Sequence, residues 1–195
     1  MLFSTLVFIF VFLPLILALY YLLRTSFRNY VLLIGSLLFY VWGGVSYSLI
    51  LIGSIVVNHL FVRAIESSIN YKKTWLIAGL IVNTAVIVTF KYLDFFIENI
   101  NDLVFLFSND LDSIAKKNII LPLGISFFTF QQMSLLWDIF RDPSREKTTF
   151  LNNALYISFF PQLIAGPIVR YNDIINQIKT RNENSSLFRS GIQRF

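Results

Sequence analysis

The chain has 195 residues, 56% of them hydrophobic and only 14% charged, with a formal net charge of +5. A soluble domain carries about 25% charged residues, so a large water-soluble core would lack the polar surface it needs. With no cysteine and a single histidine, disulfides, thiolate metal sites and multi-histidine metal sites are excluded.

Five charge-free runs, at 1–23, 29–62, 74–90, 118–137 and 148–169, dominate the chain. Each is near or above the roughly 17–25 residues that cross a bilayer. They predict an all-α, polytopic integral membrane protein, a multi-helix bundle. The basic residues cluster between the runs: Arg24 and Arg28; Arg63, Lys72 and Lys73; Arg141, Arg145 and Lys147; then Arg170, Lys179, Arg181, Arg189 and Arg194. The connection 91–117 instead holds Asp94, Glu98, Asp102, Asp110 and Asp112 beside Lys91, Lys116 and Lys117. Lysine and arginine in short loops mark the cytoplasmic side. The net charge therefore reports membrane orientation and not nucleic-acid binding.

The first run, 1–23, has no Lys or Arg ahead of it and no small-residue cleavage pattern behind it. It is predicted to be a retained helix with its N-terminus outside and a bend at Pro14. The run 29–62 would reach about 50 Å as one helix, against a hydrocarbon core of about 30 Å. Trp42-Gly43-Gly44 supplies a turn, so a hairpin is expected, with arms from Tyr30 to Trp42 and from Ser46 to about Ile65. His59, beside Asn58 in the second arm, reads as a hydrogen-bonded packing residue, with catalysis as the alternative. A helix over 75–97 follows. Asn83, Ile87, Lys91 and Asp94 share one face of it; Lys91 and Asp94 are placed to pair near the outer boundary as a contact facing the protein interior, or Lys91 to snorkel to the interface. The acidic stretch 99–117 is expected outside, with room for a short surface helix.

The run 119–140 returns inward, with Pro122 suited to a first helical turn. Gln131, Ser134 and Asp138 lie within about 60° of one another on a helical wheel. This polar stripe either joins helices by hydrogen bonds or borders a cavity. The segment 150–169 carries Pro161, Gly166 and Pro167 in an otherwise apolar stretch. Both its flanks are basic, which a simple span would place on opposite sides. A re-entrant segment resolves the conflict, with Pro161 or Gly166-Pro167 near its apex. The freed carbonyls of such a break need partners inside the protein. The tail is amphipathic and basic, with Ser185 or Ser186 expected to cap a helix beginning at Leu187.

Three motifs carry a resemblance. Residues 158–171 read Ser-Phe-Phe-Pro-Gln-Leu-Ile-Ala-Gly-Pro-Ile-Val-Arg-Tyr; residues 121–131 read Leu-Pro-Leu-Gly-Ile-Ser-Phe-Phe-Thr-Phe-Gln, followed by Asp-Ile-Phe-Arg at 138–141; residues 90–92 read Phe-Lys-Tyr. In order and spacing they resemble the membrane-bound O-acyltransferase family, in the branch of bacterial alginate O-acetylases and of the D-alanyl transfer proteins of teichoic acid. The alginate O-acetylase side is closer.

That resemblance implies a multi-pass protein of the bacterial cytoplasmic membrane. It implies transfer of an acyl group, acetyl in the alginate case, from a cytoplasmic thioester such as acetyl-CoA or an acyl carrier. The acceptor would be a hydroxyl of an extracytoplasmic polysaccharide or a teichoic-acid-type polymer. Membrane lipids and accessory acyl-transfer proteins would be partners; nucleic acid would not. The family's general base is a histidine on a late helix beyond these motifs, and His59 does not correspond to it. Residues 1–195 would thus be the N-terminal part of one acyltransferase domain, without its catalytic half and inactive alone. No catalytic or metal-binding residue is assigned. Gln131, Asp138, Gln162 and Arg170 are the candidates for polar residues along a substrate tunnel. Arg170, with its planar donor fork, is placed to meet an acyl donor or anionic group at the cytoplasmic mouth, or alternatively lipid phosphates.

Two other readings remain. A broken helix also marks transporters, but these expect a related break in an inverted repeat, and one strongly broken segment is present. A non-catalytic assembly partner of envelope polysaccharide export is the other.

The cysteine-free background makes the orientation testable. Ser108→Cys should react with an impermeant thiol reagent from outside, and Ser144→Cys only from the inner face. Labelling of Ser108→Cys from the inside alone would contradict the orientation.

Overall fold

A computed structural model describes residues 5–107, 114–115, 119, 121–142, 146–166, 169–181 and 184–194. Ser108, Asp110, Asp112, Lys116, Lys117, Ser144, Arg145 and Pro167, which entered the sequence reading, lie outside these residues. Every regular element among the described residues is helical.

The first helix opens with a π turn, Phe8–Phe12, in which the Leu13 N–H reaches the Phe8 carbonyl. It continues as α1, Leu13–Leu22, with Pro14 in its first turn. Proline lacks the donor that an α-turn would use, and the wider i→i+5 turn directly before it absorbs the defect. A 3₁₀ turn, Thr25–Phe27, then leads into α2, Arg28–Trp42. The expected hairpin follows: Gly43 and Gly44 donate to the carbonyls of Tyr40 and Val41, and α3 runs Val45–Ser67. Gly44 has φ 144°, a conformation that L-residues rarely adopt.

On α3 the buried residues are Ser48, Leu51, Ile55, Asn58, Val62 and Ile65. They alternate three and four apart, a single seam. Leu49, Ile52, Val56 and Leu60 are exposed on other faces. Most faces of the helix are apolar, and its inner seam adds the polar Ser48 and Asn58 to Leu51, Ile55, Val62 and Ile65, as expected for packing in lipid.

α4, Lys72–Ile87, passes through a second π turn, Val88–Tyr92, into α5, Leu93–Phe107. The apolar stretch Lys72–Leu106 is longer than the helix expected over 75–97. Phe90-Lys91-Tyr92 supplies the last three residues of that π turn. Lys91 is exposed, with its ammonium 5.4 Å from the Tyr92 ring centroid. It is therefore no interior contact of these helices, because its long stem carries the charge outward. Asp94 accepts from the Ile119 N–H at 3.4 Å. Val45–Ser67 and Lys72–Leu106 are both long and apolar enough to cross a membrane. Their faces of exposed Leu, Ile, Val and Phe belong to an all-helical membrane protein.

α6, Ile125–Arg141, starts after Pro122 and not at it. Gly124 at φ 72° closes a tight turn against the Leu163 carbonyl, and the Pro122 carbonyl accepts from Ile125. α7, Phe150–Ser158, is capped by Thr149, whose side chain accepts from the Asn152 N–H at 3.2 Å. The chain breaks at Phe159 and restarts as α8, Phe160–Ala165. Continuing α7 would have set the Pro161 ring against the Ile157 carbonyl; the restart moves Pro161 into a first turn, where no donor is missed.

Then come α9, Tyr171–Lys179, and α10, Ser185–Arg194. The start of α10 differs from expectation. Asn184 Oδ1 accepts from both the Ser186 N–H and the Ser186 hydroxyl at 2.7 Å, so Asn184 is the cap. Asparagine caps as well as serine does, and the helix begins two residues earlier.

The two ends of the broken segment come back together. From the level of His59 and Phe150, which meet edge to face, α7 and α8 climb to Leu163 beside Gly124. On the far side of the break, the Tyr156 hydroxyl donates to the Val169 carbonyl at 2.8 Å and Tyr171 stacks edge-on against Tyr156. The two flanks meet at a hydrogen-bonded ion pair between Lys179 and Glu146. Lys179, through that hydrogen bond first and its charge second, holds the Glu146 carboxyl below its usual range.

Tyr156→Phe should loosen this hairpin without removing the ring contact. The Val169 carbonyl would lose its donor, at a cost of about 1–3 kcal/mol. Thermal unfolding in detergent should shift down and tryptic cleavage after Arg170 should accelerate. Unchanged cleavage and unchanged melting would contradict the link.

Candidate functional site

The site is built on the buried face of α6, where two consecutive glutamines serve different neighbours. Residues 100° apart on a helix cannot face one partner. Gln132 turns toward α3 and α4. Its Oε1 accepts from Asn58 Nδ2 and Ser54 Oγ, each at 2.7 Å. Asn58 and Asn83 exchange amide hydrogen bonds of 3.2 and 2.7 Å, and Asn83 also donates to the Gly79 carbonyl. A Cβ on Gly79 would meet Leu136 Cδ1 at 2.6 Å, so the glycine lets α4 and α6 approach this closely. The knot joins three helices and leaves Gln132 Nε2 buried without a partner among the described residues.

Gln131 turns toward α7. It is 3% exposed, and its Nε2 donates to the Tyr156 carbonyl at 2.7 Å. In an unbroken α7 that carbonyl would have accepted from the Phe160 N–H. The break diverts the Phe160 N–H to Ser36 Oγ on α2, at 3.2 Å, and Ser36 in turn donates to the Leu32 carbonyl. Both halves of the lost helical bond are thus taken up by side chains of other helices. This matches what lipid demands of a broken helix.

Tyr156, 1% exposed, is the hub. Gln131, Ser134 and Asp138 of α6 surround its side chain, and Val169 accepts from its hydroxyl. Asp138 is 7% exposed, and its Oδ2 has no hydrogen-bond partner among the described residues. Gln162 is likewise buried at both amide atoms without a partner among the described residues. It lines a cavity of ≈ 140 Å³ together with Tyr156, Phe159, Gln177 and Arg181. At about 30 Å³ per water, that is space for a few waters or one small polar group.

The four sequence candidates thus occupy three places. Gln131 and Asp138 flank Tyr156; Gln162 faces the cavity that Tyr156 also lines; Arg170 is exposed at the start of α9, where its carbonyl accepts from Asp173. His59 is half-buried elsewhere, with Nδ1 3.4 Å from Asn153 Nδ2 and its ring against Phe150. Among the described residues no three acidic or histidine side chains gather as a metal site would require. The cavity offers the side-chain amides of Gln162 and Gln177 and the guanidinium of Arg181, and so can bind and orient a polar group. Sequence reasoning missed Tyr156 and Gln132. The signal for Tyr156 was a hydroxyl-bearing ring in an otherwise apolar stretch; for Gln132 it was a second glutamine that the polar stripe left out.

No family model matches the chain, and no solved structure matches it. Curated relatives do. A Pseudomonas aeruginosa protein named "Probable alginate O-acetylase AlgI" is 35% identical over 100% of this chain and 38% of its own length. Its namesake in Azotobacter vinelandii is 33% identical over 100% of this chain and 39% of its own. A Helicobacter pylori protein named peptidoglycan O-acetyltransferase is 35% identical over 97% of this chain and 41% of its own. The chain therefore spans about two-fifths of the length of these relatives, in their N-terminal portion. With the motifs, the helical fold and these likenesses together, the chain belongs to the alginate O-acetylase-like branch of the membrane-bound O-acyltransferase family.

Proposed function

We propose that the intact protein containing this chain transfers an acetyl group from a cytoplasmic thioester to hydroxyls of an extracytoplasmic polysaccharide. The thioester would be acetyl-CoA or an acyl carrier, and the protein a multi-pass protein of the bacterial cytoplasmic membrane. One observation carries the reading. Relatives named for alginate and for peptidoglycan match this chain equally well, at 35% identity. What the two names share is O-acetylation; the acceptor is what differs. Acetyl transfer thus follows more directly than any choice of polymer. Accessory acyl-transfer proteins and membrane lipids are the expected partners.

The chemistry needs a base to take the proton of the attacking hydroxyl as the carbonyl carbon is attacked and the thiolate leaves. Such a base contributes about 10²–10⁴ in rate. The described geometry supplies no such group at the cavity: Gln162 and Tyr156 line it, with Asp138 beside Tyr156. His59 packs against Phe150 and Asn153 at a separate place. In this reading residues 1–195 supply tunnel wall. Asp138 and Gln162 are polar positioning groups along it, Gln131 holds the wall together, and Arg170 meets an anionic donor group at the cytoplasmic mouth. The base comes from the portion of the relatives that this chain does not span.

The intact protein in membrane vesicles should move radiolabelled acetyl from a thioester to polysaccharide, while residues 1–195 purified alone should show no turnover. His59→Ala in the intact protein should keep transfer within a few-fold and lower only stability. Turnover by residues 1–195, abolished by His59→Ala, would overturn the assignment and make His59 the base.

A further inference from the structure

The end of α1 gathers two guanidinium groups around a pair of tyrosines. Arg28 Cζ lies 5.0 Å from the Tyr20 ring centroid and 5.9 Å from that of Tyr21. Arg181 Cζ lies 5.7 Å from the same Tyr20 ring, and its Nη1 donates to the Tyr20 hydroxyl at 3.4 Å. The arginines come from the start of α2 and from just beyond the end of α9, far apart in sequence, and Arg24 precedes Arg28 in the same connection. Tyr21 meets Phe188 of α10 edge to face, with centroids 6.1 Å apart. Phe188 belongs to two adjoining hollows. One, beside Tyr21, is completed by Asn184 and Ser185. The other is an apolar trough of ≈ 400 Å³ lined by Leu13, Leu17, Leu187, Phe188, Gly191 and Ile192. A basic, aromatic-walled head therefore adjoins a greasy trough between α1 and α10.

We propose that this is a binding site for one anionic glycerophospholipid of the cytoplasmic leaflet. The phosphate lies between Arg28 and Arg181, and an acyl chain lies in the trough. Two guanidiniums gathered at one tyrosine concentrate positive charge, and a phosphodiester accepts charge-assisted hydrogen bonds from arginine. Aromatic rings at the lipid–water boundary suit headgroup depth. Basic pockets between helices on the cytoplasmic side are where anionic headgroups bind. Leu187 and Ile192, 60% and 63% exposed, would otherwise present apolar surface beside a cluster of charge. Chain and headgroup cover both at once. The proposal goes beyond acetyl transfer and does not depend on it.

The test is native mass spectrometry of the intact protein released from nanodiscs containing equal amounts of phosphatidylglycerol and phosphatidylcholine. The wild type should retain phosphatidylglycerol preferentially. Arg28→Gln with Arg181→Gln should weaken retention roughly 30-fold, about fivefold for each arginine facing an anionic lipid. Lys73→Gln, a basic residue outside the cluster, should retain lipid as the wild type does. Gly191→Leu is the second arm. A Cβ at Gly191 meets nothing within 4 Å, so the added side chain should fill the trough and expel lipid while the helical circular dichroism stays intact. Equal retention of the two lipids would overturn the proposal, as would undiminished retention in the double variant. Displacement of the lipid by millimolar inorganic phosphate would show a site for free phosphate instead. Full retention in Gly191→Leu would show that another part of the protein occupies the trough.

Discussion

One hydrogen bond that is not made organises this structure. In an uninterrupted helix the Phe160 N–H would bond to the Tyr156 carbonyl. Pro161 forbids the continuous helix, because its ring would strike the preceding turn. In water the two freed groups would be solvated; in a hydrocarbon setting each costs several kcal/mol if left alone. Here Ser36 of α2 takes the donor and Gln131 of α6 takes the acceptor. The break is thereby fixed between two other helices. The same turn sends Leu163 toward Gly124 and then returns the chain to Tyr156, which fastens the descending limb through Val169. The cavity beside Gln162 lies within this loop, so its existence depends on how the break is satisfied.

The rest of the bundle follows the same rule that polar groups decide which faces meet. α3 is apolar on most sides, and hydrophobicity cannot choose its inner face. Ser48 and Asn58 do, along a seam with Leu51, Ile55, Val62 and Ile65. The Asn58–Asn83–Gln132 knot fixes the register of α3, α4 and α6 through side-chain amides. Such bonds in membranes average well under 2 kcal/mol each, so their value lies in specificity more than in strength. The exposed Lys179–Glu146 pair contributes little energy; it shows that the two flanks of the broken segment lie against each other.

Much of this was legible in the residues, and the parts that were not share a cause. Gly43-Gly44 and Pro161 act locally on backbone conformation, so the hairpin and the break are readable. The basic flanks at 141–147 and 170–181 predict that the two ends of the segment share a side because charge is a simple constraint, and in the fold Lys179 pairs with Glu146. Helix ends were less legible. Pro122 tolerates a first helical turn but does not demand one, and Gly124 sets the start of α6 instead. Asn184 and Ser185 cap about equally well by chemistry, and the fold chooses Asn184. α5 runs on to Phe107 because polar residues in an exposed stretch do not by themselves end a helix. At the site, periodicity identified the stripe of Gln131 and Asp138. It could not show that Gln131 serves a backbone carbonyl, since that carbonyl is freed only by a break thirty residues later in the chain. Nor could it place Arg170 outside the cavity, because the direction of a chain beyond such a break is a tertiary property.

The most direct measurement is amide hydrogen exchange across residues 157–165 in the intact protein, comparing wild type with Ser36→Ala. If Ser36 satisfies the donor released by Pro161, its loss should speed exchange of the Phe160 amide by about 10–100-fold, the equivalent of an unsatisfied buried donor. Exchange there that matches the wild type would contradict the account, because the break would then be held by something other than the two side chains assigned to it.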